Sequence, residues 1–454
     1  MNLNARNGND VSPALRVIPR EEHVISRKNI SKAALRVLYR LNEAGYSAYL
    51  VGGAVRDLLL GGHPKDFDVA TNATPEEVKK LFRNCRLIGR RFRLAHVVYG
   101  SEIIEVATFR GTGEDSEGGE GDRHVVDGRI VRDNVWGTIE EDALRRDFRV
   151  NALYYDISDF SVRDYVGGVK DVQDRVLHLI GDPETRYRED PVRMLRAVRL
   201  AAKLDFRIDA AAAAPFDDLG PLLAEASPAR LFDESLKLFL AGHGLKSFRM
   251  LEQCGLLRFM FPATARALKR GDEALRSLIE QGLSSTDKRV SGGKSVTPAF
   301  LFAVLLWGEV RDLAHTWMSK GMEGGEAWAR ASAHVVAEQC QRVAIPRRFT
   351  FVMEEIWSLQ PRFEQVQRKR VFRLMAHPRF RAAFDFLLLR AAESPAIRQL
   401  GEWWNHAQQL PQEILAEALS NHAPLTEPLA GTSAAVVPRP RKRRRRRKPK
   451  PDAS

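Results

Sequence analysis

Leu50-Val51-Gly52-Gly53-Ala54-Val55-Arg56-Asp57, followed by Lys65-Asp66-Phe67-Asp68-Val69, decides how this chain is read. Ala48 to Val51 is apolar enough for a buried strand, and two glycines then break it ahead of a helix carrying Arg56 in its first turn. Glycines without a Cβ let an anion approach backbone N–H groups, the helix N-terminus favours negative charge, and an arginine adds a two-pronged clamp. The same letters also suit a plain tight turn with a surface arginine. On a strand, Asp66 and Asp68 would share one face while Phe67 and Val69 pack behind them. Two carboxylates on one patch repel unless a cation lies between them, and Mg²⁺ takes oxygen ligands. The alternative is a strand edge with solvated acids.

A third segment, Arg145-Arg146-Asp147-Phe148-Arg149-Val150-Asn151-Ala152-Leu153, alternates with period two and is expected as a strand reaching Tyr155. Asp147, Arg149 and Asn151 would then share a face, and Asp147 would supply a third carboxylate able to accept a proton from an attacking hydroxyl. Glu105, in Ile103 to Phe109, is the rival third acid. Further on comes Glu189-Asp190-Pro191-Val192-Arg193-Met194-Leu195-Arg196-Ala197-Val198-Arg199. Asp190, Arg193, Arg196 and Arg199 recur every third residue along one helix face, above a buried stripe of Leu195, Val198 and Ala202. Read plainly, Pro191 opens the helix, Asp190 caps it and the arginines are solvated. Read chemically, a carboxylate accepts from an exocyclic amine while an arginine donates to a ring nitrogen. That pattern fits adenine or cytosine and rejects guanine and uracil, without separating ATP from CTP.

In this order the four segments resemble the class II nucleotidyltransferases, the family of CCA-adding enzymes and bacterial poly(A) polymerases. The resemblance spans about Ala48 to Phe261. Leu87-Ile88-Gly89-Arg90-Arg91-Phe92-Arg93-Leu94-Ala95-His96-Val97 and Ile103 to Gly111 resemble the poly(A) polymerase branch. The resemblance implies Asp66 and Asp68 as metal ligands and Asp147 as the remaining catalytic acid. It also implies Gly52, Gly53, Arg56 and Arg146 on the nucleotide, with Asp190 and Arg193 reading the base, assisted by Arg196 and Arg199. The implied reaction adds adenylate to RNA 3′ ends from ATP without a template, using Mg²⁺ or Mn²⁺ and releasing pyrophosphate. It would serve RNA processing and decay, with an RNA chaperone or decay machinery as helper. A CCA-adding enzyme and an inactive RNA-binding protein of the same fold are the alternatives. The chain departs from the family pattern in an acidic, Gly-rich Arg110-to-Asp127 loop, unsuited to gripping RNA, and in Leu200, where the motif more often has Phe.

Outward from these motifs, the 454 residues divide into an expected flexible arm at 1–30, a mixed-sheet head at 31–175, a helical neck at 176–265, a helical body at 266–423 and a disordered tail at 424–454. The fold class is α+β. Helical periodicity runs through Val192 to Ala202, Leu231 to Leu240 and Val371 to Leu389, and Phe349, Phe351, Trp357 and Phe363 are expected as helix core. Of the net charge of +13, the tail from Val436 onward supplies +9, through ten Lys or Arg against Asp452, so the rest is only mildly basic at +4. Arg441, Lys442, Arg443, Arg444, Arg445, Arg446, Arg447 and Lys448 suit loose, salt-sensitive attraction to RNA phosphates. Cys85, Cys254 and Cys340 match no zinc spacing, the first thirty residues lack an apolar signal core, and the longest apolar run, Ala299 to Trp307, is too short to span a bilayer. A cytoplasmic protein without membrane partners is expected.

Overall fold

A computed structural model describes residues 15–89, 93–111, 123–126, 129–133 and 135–420. The basic residues Arg441 to Lys448, the linker before them and Arg90 to Phe92 lie outside these.

The head is built on β2 (Ala48–Val51), whose four side chains are all buried. Flanking it are β3 (Asp68–Thr71) and β9 (Leu153–Asp156), both antiparallel to it. With β1 (Arg16–Ile18), β4 (Cys85–Ile88), β5 (Leu94–Tyr99), β6 (Glu102–Thr108) and β10 (Val162–Asp164), they form an eight-stranded sheet of order β1-β10-β9-β2-β3-β6-β5-β4. Only β3 and β6 pair in parallel, with Asp68 opposite Glu105 and Val69 opposite Val106. The connection between them, through α3 (Pro75–Leu81), β4 and β5, sets this register. Thr74 starts α3 with a reciprocal capping box on Glu77, and Ser31 caps α1 (Lys32–Glu43) by accepting from the Ala34 N–H. The apolar stripe of α1, Ala33, Ala34, Val37, Leu38 and Leu41, buries itself on the sheet.

Within the head, three expectations differ from this architecture. The arm is not free over residues 15–30: β1 pairs with β10, and Ile18, Ile25 and Ile30 are buried in the head core. The acidic segment, expected as a loop throughout, closes on a hairpin of β7 (Arg123–Val126) and β8 (Arg129–Asp133). The expected strand from Phe148 to Tyr155 is a 3-10 turn at Arg149–Asn151 followed by β9. The turn is forced by close packing, since a Cβ on Gly168 would lie 2.2 Å from the Arg149 carbonyl oxygen.

Beyond the sheet come α5 (Gly168–Asp174), a parallel pair of β11 (Val176–Leu177) with β12 (Arg207–Ile208), α6 (Pro183–Glu189) and α7 (Val192–Leu204). Helices then continue to Ser420. Long ones at Glu273–Ser291, Pro298–Ser319, Gly324–Arg342 and Arg347–Phe363 share one core with the head. The expected helix Val371 to Leu389 is two, Arg368–Met375 and Phe380–Leu389, because Pro378 cannot continue the first. Among the described residues, no helix is long and apolar enough to cross a membrane.

His23 pins the N-terminal strap. Its Nε2 lies 2.9 Å from the Phe160 carbonyl oxygen, and its Nδ1 accepts from the Ile25 N–H at 3.2 Å. This is the bonding of a neutral imidazole, and burial holds its pKa below the ordinary 6.5. The strap contact is thus complete above pH 6.5 and weakens as pH falls through the lowered native value. Amide protection factors at Arg16 to Ile18, taken relative to the intrinsic exchange rate at each pH, should fall on acidification across that window, whereas in His23→Gln they should stay flat.

Candidate active site

The Gly-Gly turn connects β2 to α2 (Gly53–Leu59). Gly52 has φ +75° and ψ −135°, a conformation reserved in practice for glycine, and a Cβ there would sit 3.7 Å from Arg146 Nη1. Arg56 is not offered to solvent as a clamp. It is 2% exposed, donating from Nε and Nη2 to Asp57 Oδ1 at 2.8 and 2.6 Å and from Nη1 to Asn151 Oδ1 at 2.5 Å. It braces the turn from beneath, tying it to the 3-10 turn that precedes β9.

Asp66 and Asp68 lie beside this turn, but the ladder begins only at Asp68, so Asp66 precedes the strand. Asp68 faces Val51 on β2 and Glu105 on β6. The two acids are register partners on neighbouring strands, roughly 5 Å apart in backbone spacing. Asp68 reaches solvent, yet its carboxyl loses enough hydration to be pushed up to about 6. Glu105 adds to the rise, Arg146 opposes it and Asp66 adds a smaller increment. The Glu105 carboxylate also meets His96 Nε2 at 3.3 Å.

Arg146 is the cation facing these acids. Its guanidinium donates to Asp142 Oδ2 from Nη2 at 2.9 Å and from Nε at 3.1 Å, and to the Tyr154 hydroxyl oxygen at 3.0 Å. Tyr154 in turn donates to Asp142 at 2.6 Å. Capping of α4 (Ile139–Arg145) by Thr138 places Asp142 for this contact.

Asp147 does not join the carboxylate group. It accepts from Arg196 Nε at 2.7 Å, across the junction between the head and α7. Burial works against its charge, but Arg196 and Arg193 hold the carboxyl below the usual range. Arg186 supports the same junction by donating to the carbonyls of Arg145 and Arg146, both at 2.8 Å.

Every polar member of the α7 row has a partner. Asp190 ends α6 rather than simply capping α7, and Arg230 grips it with two bonds, Nη1 to Oδ1 at 2.8 Å and Nη2 to Oδ2 at 2.6 Å. Arg193 donates to Glu189 at 2.8 Å and to the Arg186 carbonyl at 2.7 Å. Arg199 donates to the buried Glu234 at 2.5 Å. Arg230 and Glu234 lie one turn apart on the Pro228–Phe239 helix, which thereby buttresses α7 at both ends of its row.

The acids supply only oxygen, which suits Mg²⁺, and the raised Asp68 carboxyl beside Glu105 is the strain that a cation would relieve. Among the described residues no three Asp, Glu, His or Cys side chains are grouped to cage an ion alone. Mg²⁺ commonly completes its shell with water and substrate phosphates.

This combination of a carboxylate-bearing mixed sheet, a Gly-Gly turn and a helical neck is a nucleotidyltransferase fold. The Bacillus stearothermophilus CCA-adding enzyme, solved in complex with CTP, superposes with a TM-score of 0.54 at 24% identity, over 86% of this chain and 80% of that one. Residues 48–178 match the family model "Poly A polymerase head domain", 205–268 match "Probable RNA and SrmB- binding site of polymerase A", and 320–449 match "Polymerase A arginine-rich C-terminus". Poly(A) polymerase I of Salmonella typhi is 54% identical over 404 residues, covering 87% of this chain and 86% of its own length. A CCA-adding enzyme of Lactobacillus helveticus is 38% identical over 217 residues, covering 48% of this chain and 52% of its own. The chain belongs to the poly(A) polymerase I family. It is a polynucleotide adenylyltransferase.

Because the native pKa of Asp68 is raised, its proton-bound form is favoured in the folded state, and the stability this gives is lost as pH rises through about 6. Asp68→Asn should therefore raise the melting temperature of the metal-free protein at neutral pH. It should also abolish the stabilisation that added Mg²⁺ gives the wild type. A lower melting temperature, or a retained Mg²⁺ response, would contradict this electrostatic picture.

Proposed function

We propose that this chain extends RNA 3′ ends with adenylate by metal-assisted nucleotidyl transfer from ATP, with Asp66 and Asp68 as metal ligands and Glu105 as the third carboxylate. The register pairing of Asp68 with Glu105 carries this reading. Asp147, bound to Arg196, serves to join the head to the helix that reads the base. Bound Mg²⁺, or Mn²⁺ in its place, would supply the charge that polarises the 3′-hydroxyl and neutralises the departing pyrophosphate. The protein's own contribution is placement. Backbone N–H groups after Gly52 receive the triphosphate, helped by Arg146, whose Asp142 and Tyr154 contacts fix its direction.

Base choice rests on Asp190 and Arg193. A carboxylate oxygen has room for more than one donor, so Asp190 can keep Arg230 and still accept the 6-amino group of adenine. Arg193 is directed at its base by Glu189 and the Arg186 carbonyl. A reader braced this way suits repeated addition of one nucleotide, whereas adding C-C-A requires a reader that serves two bases. A single-stranded adenylate tail gives 3′ exonucleases an unstructured foothold. The reaction therefore serves RNA processing and decay in the cytoplasm, with an RNA chaperone or the decay machinery as partner and the basic tail holding RNA loosely.

The test uses purified protein, Mg²⁺, a short unstructured RNA and either ATP or CTP, with products resolved at single-nucleotide length. A long adenylate ladder is expected, lost in Asp66→Ala and in Asp68→Ala. Arg230→Ala should reduce the preference for ATP over CTP by roughly tenfold, the scale of a hydrogen bond to a charged group. Addition that stops after C-C-A on a tRNA lacking its end, with no ladder on plain RNA, would overturn the reading.

A further inference from the structure

Of the four aromatics expected in the core of the Arg347–Phe363 helix, Trp357 and Phe363 are fully buried, and Phe349 stacks against Phe232 at a ring separation of 6.2 Å. Phe351 is the exception. It is 59% exposed and, among the described residues, is the one exposed phenylalanine or tryptophan. Two residues beyond Phe349, a helical side chain has swung to the opposite side, away from the packed face.

Its surroundings are cationic. Arg347 and Arg348 lie one turn earlier on the same exposed side, and Arg342 ends the helix before. Several arginines of the neck and body are matched to acids: Arg199, Arg230, Arg249, Arg276, Arg311 and Arg390 all hold carboxylates. Among the described residues, Arg347 and Arg348 hold none, and Arg348 lies over the Phe349 ring at 4.8 Å. The helix's own acids lie one turn beyond Phe351: Glu354 is half-buried and feels the charge of Arg347, and Glu355 is taken by Arg379.

The patch is also tied to the base-reading end of the neck. The Ala344 N–H donates to the Pro228 carbonyl at 3.0 Å, joining the turn before Arg347 to the start of the helix whose Arg230 grips Asp190. An exposed ring flanked by unmatched guanidinium groups is the arrangement that holds single-stranded nucleic acid, by stacking bases and attracting phosphates without reading sequence.

We propose that Phe351, with Arg347 and Arg348, forms a stacking platform for a base of the RNA primer upstream of its growing 3′ end. The platform holds the RNA while the terminal nucleotide is extended. This inference takes its ligand from the polyadenylation reading. The wild-type adenylate ladder judges that reading separately, because RNA affinity is measured whether or not a ladder forms.

The experiment compares full-length wild type with Phe351→Leu, Phe351→Trp and Arg347→Ala/Arg348→Ala. Fluorescence anisotropy gives affinity for a short oligoadenylate across a salt series, and 2-aminopurine placed at successive positions reports stacking. Phe351→Leu keeps the helix and an apolar side chain but has no π-face. It should weaken RNA binding by about tenfold, remove the quenching of 2-aminopurine at one position and raise KM for RNA but not for ATP. Phe351→Trp should restore binding and quenching. The double arginine variant should lower the salt slope by about two. Wild-type affinity and quenching in Phe351→Leu would overturn the proposal, and so would equal losses in Phe351→Leu and Phe351→Trp.

Discussion

The structure turns on one electrostatic conflict. By pairing β3 with β6 in parallel, the head sets Asp68 beside Glu105, with Asp66 just before the strand. Like charges on register partners are unfavourable, and Asp68 is pushed up to about 6, first by lost hydration and then by Glu105. A fold evolved for stability alone would place an apolar or opposite-charge pair there. The surrounding features make sense as a setting for the conflict: a glycine turn that nothing but glycine can make, an arginine held from behind so that it faces the acids, and a neck fastened to the head through a half-buried ion pair.

How much of this was legible depended on how local each cause is. The strand Ala48–Val51, the turn at Gly52 and the Thr74 cap are local, and the structure places each where the letters put it. The spacing of Asp66 and Asp68 located the acids, although hydrogen bonding starts only at the second. Period-two alternation failed at Phe148 to Tyr155. There the Arg149 N–H bonds the His178 carbonyl and Gly168 packs against the turn, contacts that no local pattern encodes. Which acid stands beside Asp68 was likewise not legible locally, since its register partner, Glu105, is decided by the crossover through β4 and β5.

Helix α7 gives a second case. Its row of Asp190, Arg193, Arg196 and Arg199 was visible from the three-residue spacing, but their partners were not. Arg230 lies forty residues from Asp190, and Glu234 thirty-five from Arg199. Their own one-turn spacing on the Pro228–Phe239 helix was the only available signal, and it acquires meaning only once α7 is seen alongside. Phe351 is the mirror image: grouped with Phe349, Trp357 and Phe363 it was expected in the helix core, and only the face on which it emerges distinguishes it.

The central claim is that Glu105 completes the catalytic acids while Asp147 fastens head to neck. Single-turnover incorporation of one adenylate, at saturating ATP and RNA, separates these roles when Glu105→Gln is compared with Asp147→Asn. The account requires Glu105→Gln to slow the chemical step by about a hundredfold or more with little change in melting temperature. Asp147→Asn should instead lose thermal stability and retain most of the rate. A hundredfold loss in Asp147→Asn with wild-type stability, beside a nearly unaffected Glu105→Gln, would contradict it.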